Sequence, residues 1–556
     1  MAKPDSTAAR AQGSTALSIT VGQFPGGVHP PQHKDESSTR PIAFLPVPPQ
    51  LVVPLGQHIG APSLPTVNVG DRILKGQRIA KPNGFVSVSQ HAPTSGTIRD
   101  IGEYPVPHPS GLKTMCIVID SDGRDEWAEA SPENAFDKMD PSHLRNLIRD
   151  AGIVGLGGAG FPTFIKLNPG PHNRIDTLIV NGIECEPYIT CDDLLMQERA
   201  KEVIAGIRIM RHALQAKNVI IAIEDNKNAA IAAMRVASSK TDFQLAVCPT
   251  AYPQGGEKQL IQVLTGKEVP ANGLPSQIGI VVQNVATAAA IHHAVDLGRP
   301  LVSRVVTVTG NGVRDHGNFE VLVGTPMSRL LEHCHAFDDL DKLIVGGPMM
   351  GFALPNADAP VIKTTNCLLT YRSSNRPAAP TLPCIRCGAC AEVCPASLLP
   401  QQLYWASFAK DFDQAQEYNL FDCIECGCCS YVCPSQLPLV QYYRYAKGEI
   451  WRQEREKKKA SVARQRHEFR LERIDREKRD RAQKHAKKRD DLTQTASDTS
   501  TESDTKKAAI LAAMERVKAK QATQAVTPQN TENLSDEQKR LIAEADQRRA
   551  EGQEKP

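Results

Sequence analysis

Two short runs of cysteines carry the clearest chemistry in this sequence. CIRCGACAEVCP occupies residues 384–395 and CIECGCCSYVCP occupies residues 423–434. Overlaying them gives the shared spacing C-x2-C-x2-C-x3-C-P, which leaves Cys428 as an extra thiol in the second run. A tight C-x2-C-x2-C loop wraps three thiolates around one cubane cluster, and the fourth cysteine of such a run binds the other cluster. The spacing therefore predicts two 4Fe-4S clusters.

The predicted ligands are exchanged between the two runs. One cluster is expected on Cys384, Cys387, Cys390 and Cys433, and the other on Cys423, Cys426, Cys429 and Cys394. Structural zinc also uses C-x2-C pairs, but it needs two pairs and not a third, equally spaced cysteine followed by Cys-Pro. Disulfides are disfavoured because no secretory signal precedes the runs and the remaining six cysteines are scattered. Cys428 is predicted to be a neighbour in the loop and not a ligand.

A glycine-rich stretch, GLGGAGFPT, is the second candidate for chemistry. Gly155, Gly157 and Gly160 satisfy G-x-G-x-x-G, but the preceding HLRNLIRDAG has helical periodicity, whereas the dinucleotide fingerprint must follow a strand. The glycines stand just before Pro162, which suits the first position of a helix. We therefore predict a loop whose backbone N–H groups can hold a phosphate.

Polar residues follow three further predicted elements. IDTLIVNGIECEP is a buried strand followed by Asn181, Glu184 and Glu186, at the strand end where α/β folds bind ligands; a plain structural turn is the alternative. AYPQGGEKQLIQVLTG places Tyr252, Gly256 and Glu257 before an amphipathic helix, and IGIVVQNVATAAAI is a strand ending near Asn284 and Thr287.

The chain is long enough for several domains, with 556 residues of which 41% are hydrophobic. No apolar run approaches the roughly 18 residues of a membrane span, and no signal peptide is recognised at the start. The net charge of +3 hides a basic segment, because residues 451–556 hold 27 Lys and Arg against 20 Asp and Glu. A solvated tail and a tail that binds anionic lipid or a partner are both open; nucleic acid is not expected, since no reader motif is present.

The sequence predicts a multidomain α/β protein. Short alternating strands with Gly and Pro punctuation, including TVNVGDRILKGQRIA, favour a small β domain early in the chain, similar to the biotinyl/lipoyl sandwich. Phe85 stands where that family carries its cofactor lysine, so the domain is expected to be a scaffold. RVVTVTGNGVRDHGNFEVLVGTPMSRLL and the following LIVGGPMMG favour a β-grasp piece. The expected boundaries are an N-terminal extension (1–39), a barrel-sandwich β domain (40–128), an α/β domain (129–300) and a β-grasp domain (301–365). A double-cluster ferredoxin domain (375–446) and a charged, largely disordered, partly helical tail (447–556) are expected to follow.

The order of GLGGAGFPT, NGIECEP, YPQGGE and VQNVAT resembles the flavin-binding subunit of respiratory NADH dehydrogenase. Together with the sandwich domain and the cysteine runs, the arrangement resembles the C subunits of Rnf (also called Rsx) ion-translocating electron-transport complexes, over residues 20–445. Two positions depart from the respiratory pattern: Leu156 replaces an arginine, and Gly256 replaces the first of two glutamates.

The resemblance implies that the α/β domain (129–300) is a Rossmann-like FMN/NADH-binding domain and that the β-grasp domain (301–365) is SLBB-like. It implies a binding site for non-covalent FMN and for NADH as the substrate. The residues implied for FMN are Gly155, Gly157, Gly158, Ala159, Gly160, Lys166, Asn181, Glu184, Tyr252, Gly256, Asn284 and Thr287. Those implied for NADH are Phe161, Glu186 and Glu257. No catalytic acid–base residue is expected, because the transferred unit is a hydride.

The implied function is electron input to a membrane complex, from NADH through FMN to the clusters, with ion translocation by partner subunits that include a ferredoxin-like one. The implied location is the cytoplasmic face of the bacterial inner membrane, peripheral. The alternative is an electron-relay or assembly subunit that has lost nucleotide binding.

Overall fold

The computed structural model describes residues 21–130, 132, 135–170, 173–373 and 380–497, with short helical pieces between 508 and 543. The chain divides into two compact units, Met1–Arg452 and Gln453–Pro556. The first twenty residues of the expected N-terminal extension and the expected tail beyond residue 497, apart from those pieces, lie outside the described residues.

The early β domain is a pair of small antiparallel sheets. β1 (Ala43–Phe44) belongs to a later sheet. The strands of the domain are β2 (Gln50–Pro54), β3 (Leu64–Pro65), β4 (Arg72–Ile73), β5 (Arg78–Lys81), β6 (Gln90–His91), β7 (Gly96–Pro105) and β8 (Lys113–Ser121). They form the orders β2-β8-β7-β4 and β3-β5-β6 around a core that includes Ile73, Ile98 and Ile117. Phe85 is 63% exposed on this domain, in line with a scaffold that carries no swinging lysine.

The central domain is a four-stranded, all-parallel sheet with the order β11-β10-β9-β12. Its strands are runs of buried Ile, Val and Leu, as expected when helices cover both faces of a sheet. The elements are α1 (Pro141–Asp150), α2 (Thr163–Lys166), β9 (Thr177–Gly182), α3 (Cys191–Glu198), α4 (Ala200–Leu214), β10 (Asn218–Glu224), α5 (Asn228–Ala237), β11 (Gln244–Cys248), α6 (Glu257–Thr265), β12 (Ile280–Asn284) and α7 (Val285–Asp296). The helix predicted before the glycine loop is therefore confirmed as α1.

The β-grasp region is a mixed sheet with one helix. Its order is β1-β14-β13-β17-β15-β16, in which β13 pairs antiparallel with β14 and parallel with β17. The elements are β13 (Ser303–Thr309), β14 (Gly317–Leu322), α8 (Met327–His333), β15 (Leu340–Val345), β16 (Phe352–Leu354) and β17 (Cys367–Arg372). Strand β17 continues the sheet beyond residue 365, where the sequence placed the end of this domain.

The cysteine region is helical, and its last helix is long. The helices are α9 (Ala389–Glu392), α10 (Pro400–Phe408), α11 (Phe412–Glu417), α12 (Cys428–Tyr431) and α13 (Leu439–Ser497). Tyr443, Ala446 and Ile450 of α13 are buried in the core of the cysteine region. The boundary predicted between residues 446 and 447 therefore falls inside one continuous helix, which extends to Ser497 and includes the part of the tail expected to be helical.

Candidate functional site

The glycine loop is closed upon itself between α1 and α2. The Gly155 amide donates to the Phe161 carbonyl at 2.8 Å, and the Gly160 amide donates to the Gly155 carbonyl at 3.2 Å. Gly158 has a φ of +103°, a conformation that side chains other than glycine's rarely permit. Gly160 also has a positive φ (+62°), so these two glycines are required by the backbone path of the loop.

The tip of this loop offers free hydrogen-bond donors. Gly157, Gly158 and Ala159 are exposed, and among the described residues their amides have no protein acceptor. A Cβ built on Gly158 meets no heavy atom within 4 Å, so open space lies beside the backbone. Exposed amides next to open space are the donor set that an anionic group such as the FMN phosphate requires. This part of the predicted site fits the cofactor.

Asn284, the last residue of β12, and Thr287, in the first turn of α7, support the glycine loop and the start of α7. The Leu156 amide donates to Thr287 Oγ1 at 3.0 Å. Asn284 caps α7 by accepting from the Ala286 amide at 2.8 Å, and its Nδ2 donates to Asp192 Oδ2 at 2.6 Å. Asn284 therefore fixes the start of α7, while its neighbour Thr287 anchors the loop.

Asn181 ends β9 beside Asn284, its register partner on β12. Its Nδ2 donates to the Gly255 carbonyl at 2.9 Å, and its Oδ1 accepts from the Ile183 amide at 3.0 Å. The two asparagines therefore lie at the same carboxyl-terminal edge of the parallel sheet, where α/β folds bind ligands. Gly256 lies next to this contact, as the N-cap of α6.

Glu184 is buried and already engaged with protein groups. Its Oε1 accepts from the Asp192 amide at 2.8 Å, at the start of α3, and its Oε2 lies 3.5 Å from Lys227 Nζ. Lys227 is itself buried and also pairs with Glu224 at 3.4 Å. Burial and the neighbouring Glu184 raise the pKa of Asp192 to about 7. Glu184 therefore holds the start of α3. These are the contacts of a structural turn, the alternative to a ligand site; binding of FMN by Glu184 stays a prediction.

The two other predicted carboxylates are also paired. Glu186 accepts hydrogen bonds from the Met349 and Met350 amides at 2.7 and 3.0 Å, and burial raises its pKa. Glu257 forms an ion pair with Lys166 at 2.7 Å. Glu186 therefore joins the sheet edge to the β-grasp region, and Lys166 and Glu257 neutralise each other beside the open loop.

Lys34 is a residue of this region that sequence reasoning missed. Its Nζ donates to the carbonyls of Glu184, Glu186 and Ile189 at 2.7, 3.0 and 2.8 Å, and burial lowers its pKa. It therefore clamps the turn that follows β9. The segment GGVHPPQHK contains it, but a lysine in a Pro-rich stretch gives no local sign that it will be buried.

Tyr252 connects the parallel sheet to the second cysteine run. It is 1% exposed, and its hydroxyl donates to the Cys426 carbonyl at 2.6 Å. Val28 adds to this contact, because its amide donates to the Tyr252 carbonyl at 2.8 Å while the Gly27 amide donates to the Val393 carbonyl at 3.0 Å. The predicted flavin residue Tyr252 is therefore packed against a predicted cluster ligand.

The structure brings the second predicted ligand set together. Cys394, Cys423, Cys426 and Cys429 line one cavity, which Cys428 and Tyr443 also line. Burial raises the pKa of Cys429, and the neighbouring thiols of Cys423, Cys426 and Cys394 raise it further. Burial also raises the pKa of Cys394, with a contribution from Cys426. The four predicted thiols around this cavity are a donor set that fits a 4Fe-4S cluster.

The first predicted set lies nearer the surface. Burial, with the neighbouring Cys387 and Cys384 thiols, raises the pKa of Cys390. Cys387 is exposed, and Ile385 beside it is 67% exposed. Cys433 packs in the same core as Cys384 and Cys390. The two predicted cluster sites therefore differ in solvent access.

Cys428 lines the same cavity as the four thiols of the second predicted set. It is fully buried in an apolar cluster with Tyr252, Ile183 and Leu260 of the parallel-sheet domain, and its Sγ lies 4.0 Å from the Tyr252 carbonyl oxygen. Cys426, a predicted ligand, belongs to the same apolar cluster, so the assignment of Cys428 as a non-ligand rests on the sequence spacing and stays a prediction.

Four family descriptions match consecutive parts of the chain. They are the RnfC barrel sandwich hybrid domain (residues 22–124), the Nuo51 FMN-binding domain (148–293), the SLBB domain (305–353) and the 4Fe-4S dicluster domain (383–437). The predicted fold class is confirmed: the chain combines a flavin-type α/β domain with a dicluster ferredoxin-type domain on β scaffolds.

Curated relatives narrow this class. Three of them are the C subunits of the ion-translocating oxidoreductase complexes of Pseudomonas aeruginosa, Citrobacter koseri and Serratia proteamaculans. The chain is 52% identical to the first over 461 residues, covering 83% of this chain and 60% of that protein. It is 47% identical to the Citrobacter koseri protein, covering 91% of this chain and 71% of that protein. It is 46% identical to the Serratia proteamaculans protein, covering 96% of this chain and 76% of that protein. The chain belongs to the family of C subunits of ion-translocating oxidoreductase complexes. It spans only 60% of the length of the Pseudomonas aeruginosa relative and 62% of the length of a further relative, the C subunit of Erwinia tasmaniensis.

A solved structure of an NAD+-reducing nickel–iron hydrogenase is similar to part of this chain, with 20% sequence identity and a TM-score of 0.42. The similar part covers 56% of this chain and 63% of the hydrogenase chain, and the likeness is too distant to support an argument. Among the described residues, the helices lack a stretch that is both long and apolar enough to cross a membrane.

Proposed function

We propose that this chain receives electrons from NADH, holds FMN at the glycine loop and passes the electrons to two 4Fe-4S clusters. It would do so at the cytoplasmic face of a bacterial inner membrane, as a peripheral subunit of an Rnf/Rsx-type complex. Other subunits, including a ferredoxin-like one, would accept the electrons and couple their transfer to ion translocation. Family membership supports this assignment, and the arrangement of the chain's own residues supports its individual steps.

The contact between Tyr252 and Cys426 carries the proposal. Asn181, at the sheet edge, donates to the Gly255 carbonyl, and Tyr252, three residues before Gly255, donates to the Cys426 carbonyl. A short path of packed groups thus runs from the proposed flavin site to a proposed cluster ligand. Tyr252, the part of this path nearest the proposed cluster, is buried, whereas Asn181 and Gly255 are half-buried.

The loop amides of Gly157, Gly158 and Ala159 would hold the phosphate of FMN, with Lys166 close by. Asn181 and Asn284, at the ends of neighbouring strands, would contact the ring or ribityl groups. Bound FMN supplies the conversion between a two-electron hydride donor and one-electron acceptors. For Lys166 to reach a phosphate it would have to leave or share its ion pair with Glu257.

The residues that we propose for NADH are Phe161, Glu257 and Glu186. Phe161, which is partly exposed, follows the last glycine of the loop and would offer its ring to NADH. Glu257, about one-third exposed and paired with Lys166, would contact NADH from the start of α6. Glu186 is bound by two amides of the β-grasp loop, so it would act mainly by keeping that loop in place.

The burial of the two cluster sites supports an order of transfer. The set that contains Cys426 lies against the flavin-type domain, whereas the set that contains the exposed Cys387 faces solvent. Electrons would therefore enter through the buried cluster and leave from the exposed one toward a partner. Since each transfer is a one-electron step, this part needs no catalytic side chain.

The test is an absorption spectrum of the anaerobically purified full chain, before and after addition of NADH, with flavin and iron measured on the same sample. We expect FMN, about eight irons, and bleaching of both the flavin and the clusters by NADH. Dithionite is the control for clusters that are present but not connected to NADH. Full iron with no flavin and no NADH-dependent bleaching would overturn the proposal in favour of an electron-relay or assembly subunit that has lost nucleotide binding.

A further inference from the structure

The long helix α13 leaves its C-terminal part exposed. Of residues 453–491, all of which have described side chains, only Gln453 and Ile474 are half-buried, and the others are exposed. At about 1.5 Å per residue, this segment is about 58 Å long. A helical segment whose described side chains are exposed on all sides has no packing reason to gather one sign of charge on one face, but this segment does.

The basic charge is concentrated on one side. Because successive residues of an α-helix are about 100° apart, a sector about 120° wide can be followed along the whole segment. In this sector, which we call the basic face, ten side chains are basic and three are acidic, whereas the remaining two thirds of the circumference has six of each. Its basic members are Arg455, Lys458, Lys459, Arg466, Arg470, Arg473, Arg476, Lys484, Lys487 and Lys488. The full net charge of +7 of the segment therefore lies on the basic face.

Two apolar side chains occupy the same sector. Val462 is 39% exposed and Phe469 is 69% exposed, and the seven residues between them place both near one line along the helix. The three acidic members are Glu477, Asp480 and Asp491, of which Glu477 lies 3.7 Å from Arg473. The N-terminal half of the basic face, up to Arg476, is therefore free of acidic residues and contains both apolar side chains.

We propose that the basic face binds the surface of a bilayer rich in anionic phospholipids, with Phe469 and Val462 entering the interface between head groups and acyl chains. A helix with basic residues and a few apolar ones on the same side suits this surface, because lysine and arginine meet the head groups while aromatic and aliphatic groups enter below them. A membrane surface can contact the basic face along its length and has an apolar layer for the Val and Phe side chains, whereas nucleic acid would be bound through the basic residues alone.

The test uses the full chain and sedimentation with vesicles of phosphatidylcholine containing about 30% phosphatidylglycerol, against vesicles of phosphatidylcholine alone. One triple variant reverses charges on the basic face: Arg466→Glu, Arg470→Glu and Arg473→Glu. The matched control reverses three charges elsewhere on the helix, Arg464→Glu, Lys478→Glu and Arg479→Glu, with the same change of net charge. Circular dichroism checks that both variants keep their helix content.

We expect the chain to bind only the anionic vesicles and the basic-face variant to bind them at least about tenfold more weakly, while the control stays within about threefold. Phe469→Ser should weaken binding, and about 1 M salt, which shortens the Debye length to about 3 Å, should release the chain. Equal loss in the two triple variants would overturn the proposal, because net charge alone would then account for binding. Equal binding to neutral vesicles, or tighter binding to a DNA duplex of about 30 base pairs, would do the same. Iron and flavin measured on these samples report on the proposed electron path separately.

Discussion

The hydroxyl of Tyr252 donates a hydrogen bond of 2.6 Å to the backbone carbonyl of Cys426, across 174 positions of sequence. The donor belongs to the loop before α6, and the acceptor belongs to a predicted cluster ligand. Removing the hydroxyl would leave a buried carbonyl without this donor, which typically costs about 1–3 kcal/mol. This contact joins the domain of the proposed flavin site to the nearer proposed cluster site.

The first prediction concerns Cys428. Cys428→Ser should leave about eight irons per chain, because the spacing shared by the two cysteine runs supplies four ligands for each cluster without it, although it lines the same cavity. Cys426→Ser should lose one cluster and destabilise the other through their shared fold. Placing a hydroxyl in an apolar cluster should lower the thermal stability of the Cys428 variant by a modest amount. Iron analysis of the two purified variants is the measurement, and equal iron loss in both would show that the wrong four thiols were chosen.

The second prediction concerns Gly158. Gly158→Val should give protein with little or no FMN but normal iron, with clusters that dithionite reduces and NADH does not. The new side chain would fill the open space beside the loop amides and would force a β-branched residue to a φ of +103°. Flavin content and anaerobic spectra measure the outcome.

A matched control separates backbone strain from loss of the site. Gly123 also has a positive φ (+71°) with no atom within 4 Å of a built Cβ, but it lies in the early β domain. Gly123→Val should therefore keep its flavin. The glycine-loop assignment fails if NADH still reduces the clusters in flavin-free Gly158→Val protein.

The third prediction concerns the unequal burial of the two clusters. The cluster on Cys384, Cys387, Cys390 and Cys433 should be lost first when the protein is exposed to air and a chelator, because Cys387 is exposed while Cys426 and Cys429 are buried. Iron release should then occur in two phases, each of about four irons. In Cys384→Ser the fast phase should be missing; a single phase in the unmodified chain would contradict the inferred order.

The fourth prediction concerns the tail. Truncation after Arg452 should leave both clusters and NADH oxidation with artificial acceptors intact, because the residues of α13 that pack in the cysteine region end at Trp451, whose ring contacts Phe421. Truncation after Ala446 should instead lower iron content, since it removes Lys447, which donates to the Cys423 carbonyl at 2.6 Å, and the buried Ile450. Equal iron loss in the two truncations would show that the exposed helix contributes to the fold.

The fifth prediction concerns Lys363, a fully buried residue whose Nζ donates to the carbonyls of Gly152 and Ser89 at 2.7 and 3.2 Å. Burial lowers its pKa from 10.5 to about 7. Between these values the unfolded chain binds more protons at this group than the folded chain does, so the free energy of unfolding should rise with pH. The rise should be at most about 1.4 kcal/mol per pH unit and should vanish below pH 7, where both states are protonated.

Thermal unfolding of the unmodified chain and of Lys363→Met, measured between pH 7 and about pH 9, isolates this contribution because the other groups cancel in the comparison. Lys363→Met should be less stable at the upper end, since two buried carbonyls lose their donor. Replacement of the exposed Lys113 by Met is the control and should leave the slope unchanged. Parallel pH profiles for Lys363→Met and the unmodified chain would contradict the prediction.

Residues close in sequence determined a large part of this protein. The spacing of the cysteine runs predicted which thiols group together, because a loop of fixed length can present its ligands in only one way around a cluster. Periodicity predicted α1 and the buried strands β9 and β12, and these elements carry the glycine loop and the two asparagines. The resemblance of short motifs supplied the family, which the relatives confirmed.

Only the tertiary structure decided how distant segments meet. Lys34, Lys227 and Lys363 look like ordinary surface lysines in the sequence, and their burial depends on carbonyls and carboxylates that lie tens to hundreds of positions away. The same holds for the Tyr252–Cys426 contact, for Glu184 as the support of α3, and for the continuation of α13 beyond the predicted domain boundary. Sequence spacing fixes local geometry, whereas burial and pairing arise from the packing of segments against each other, which no local pattern records.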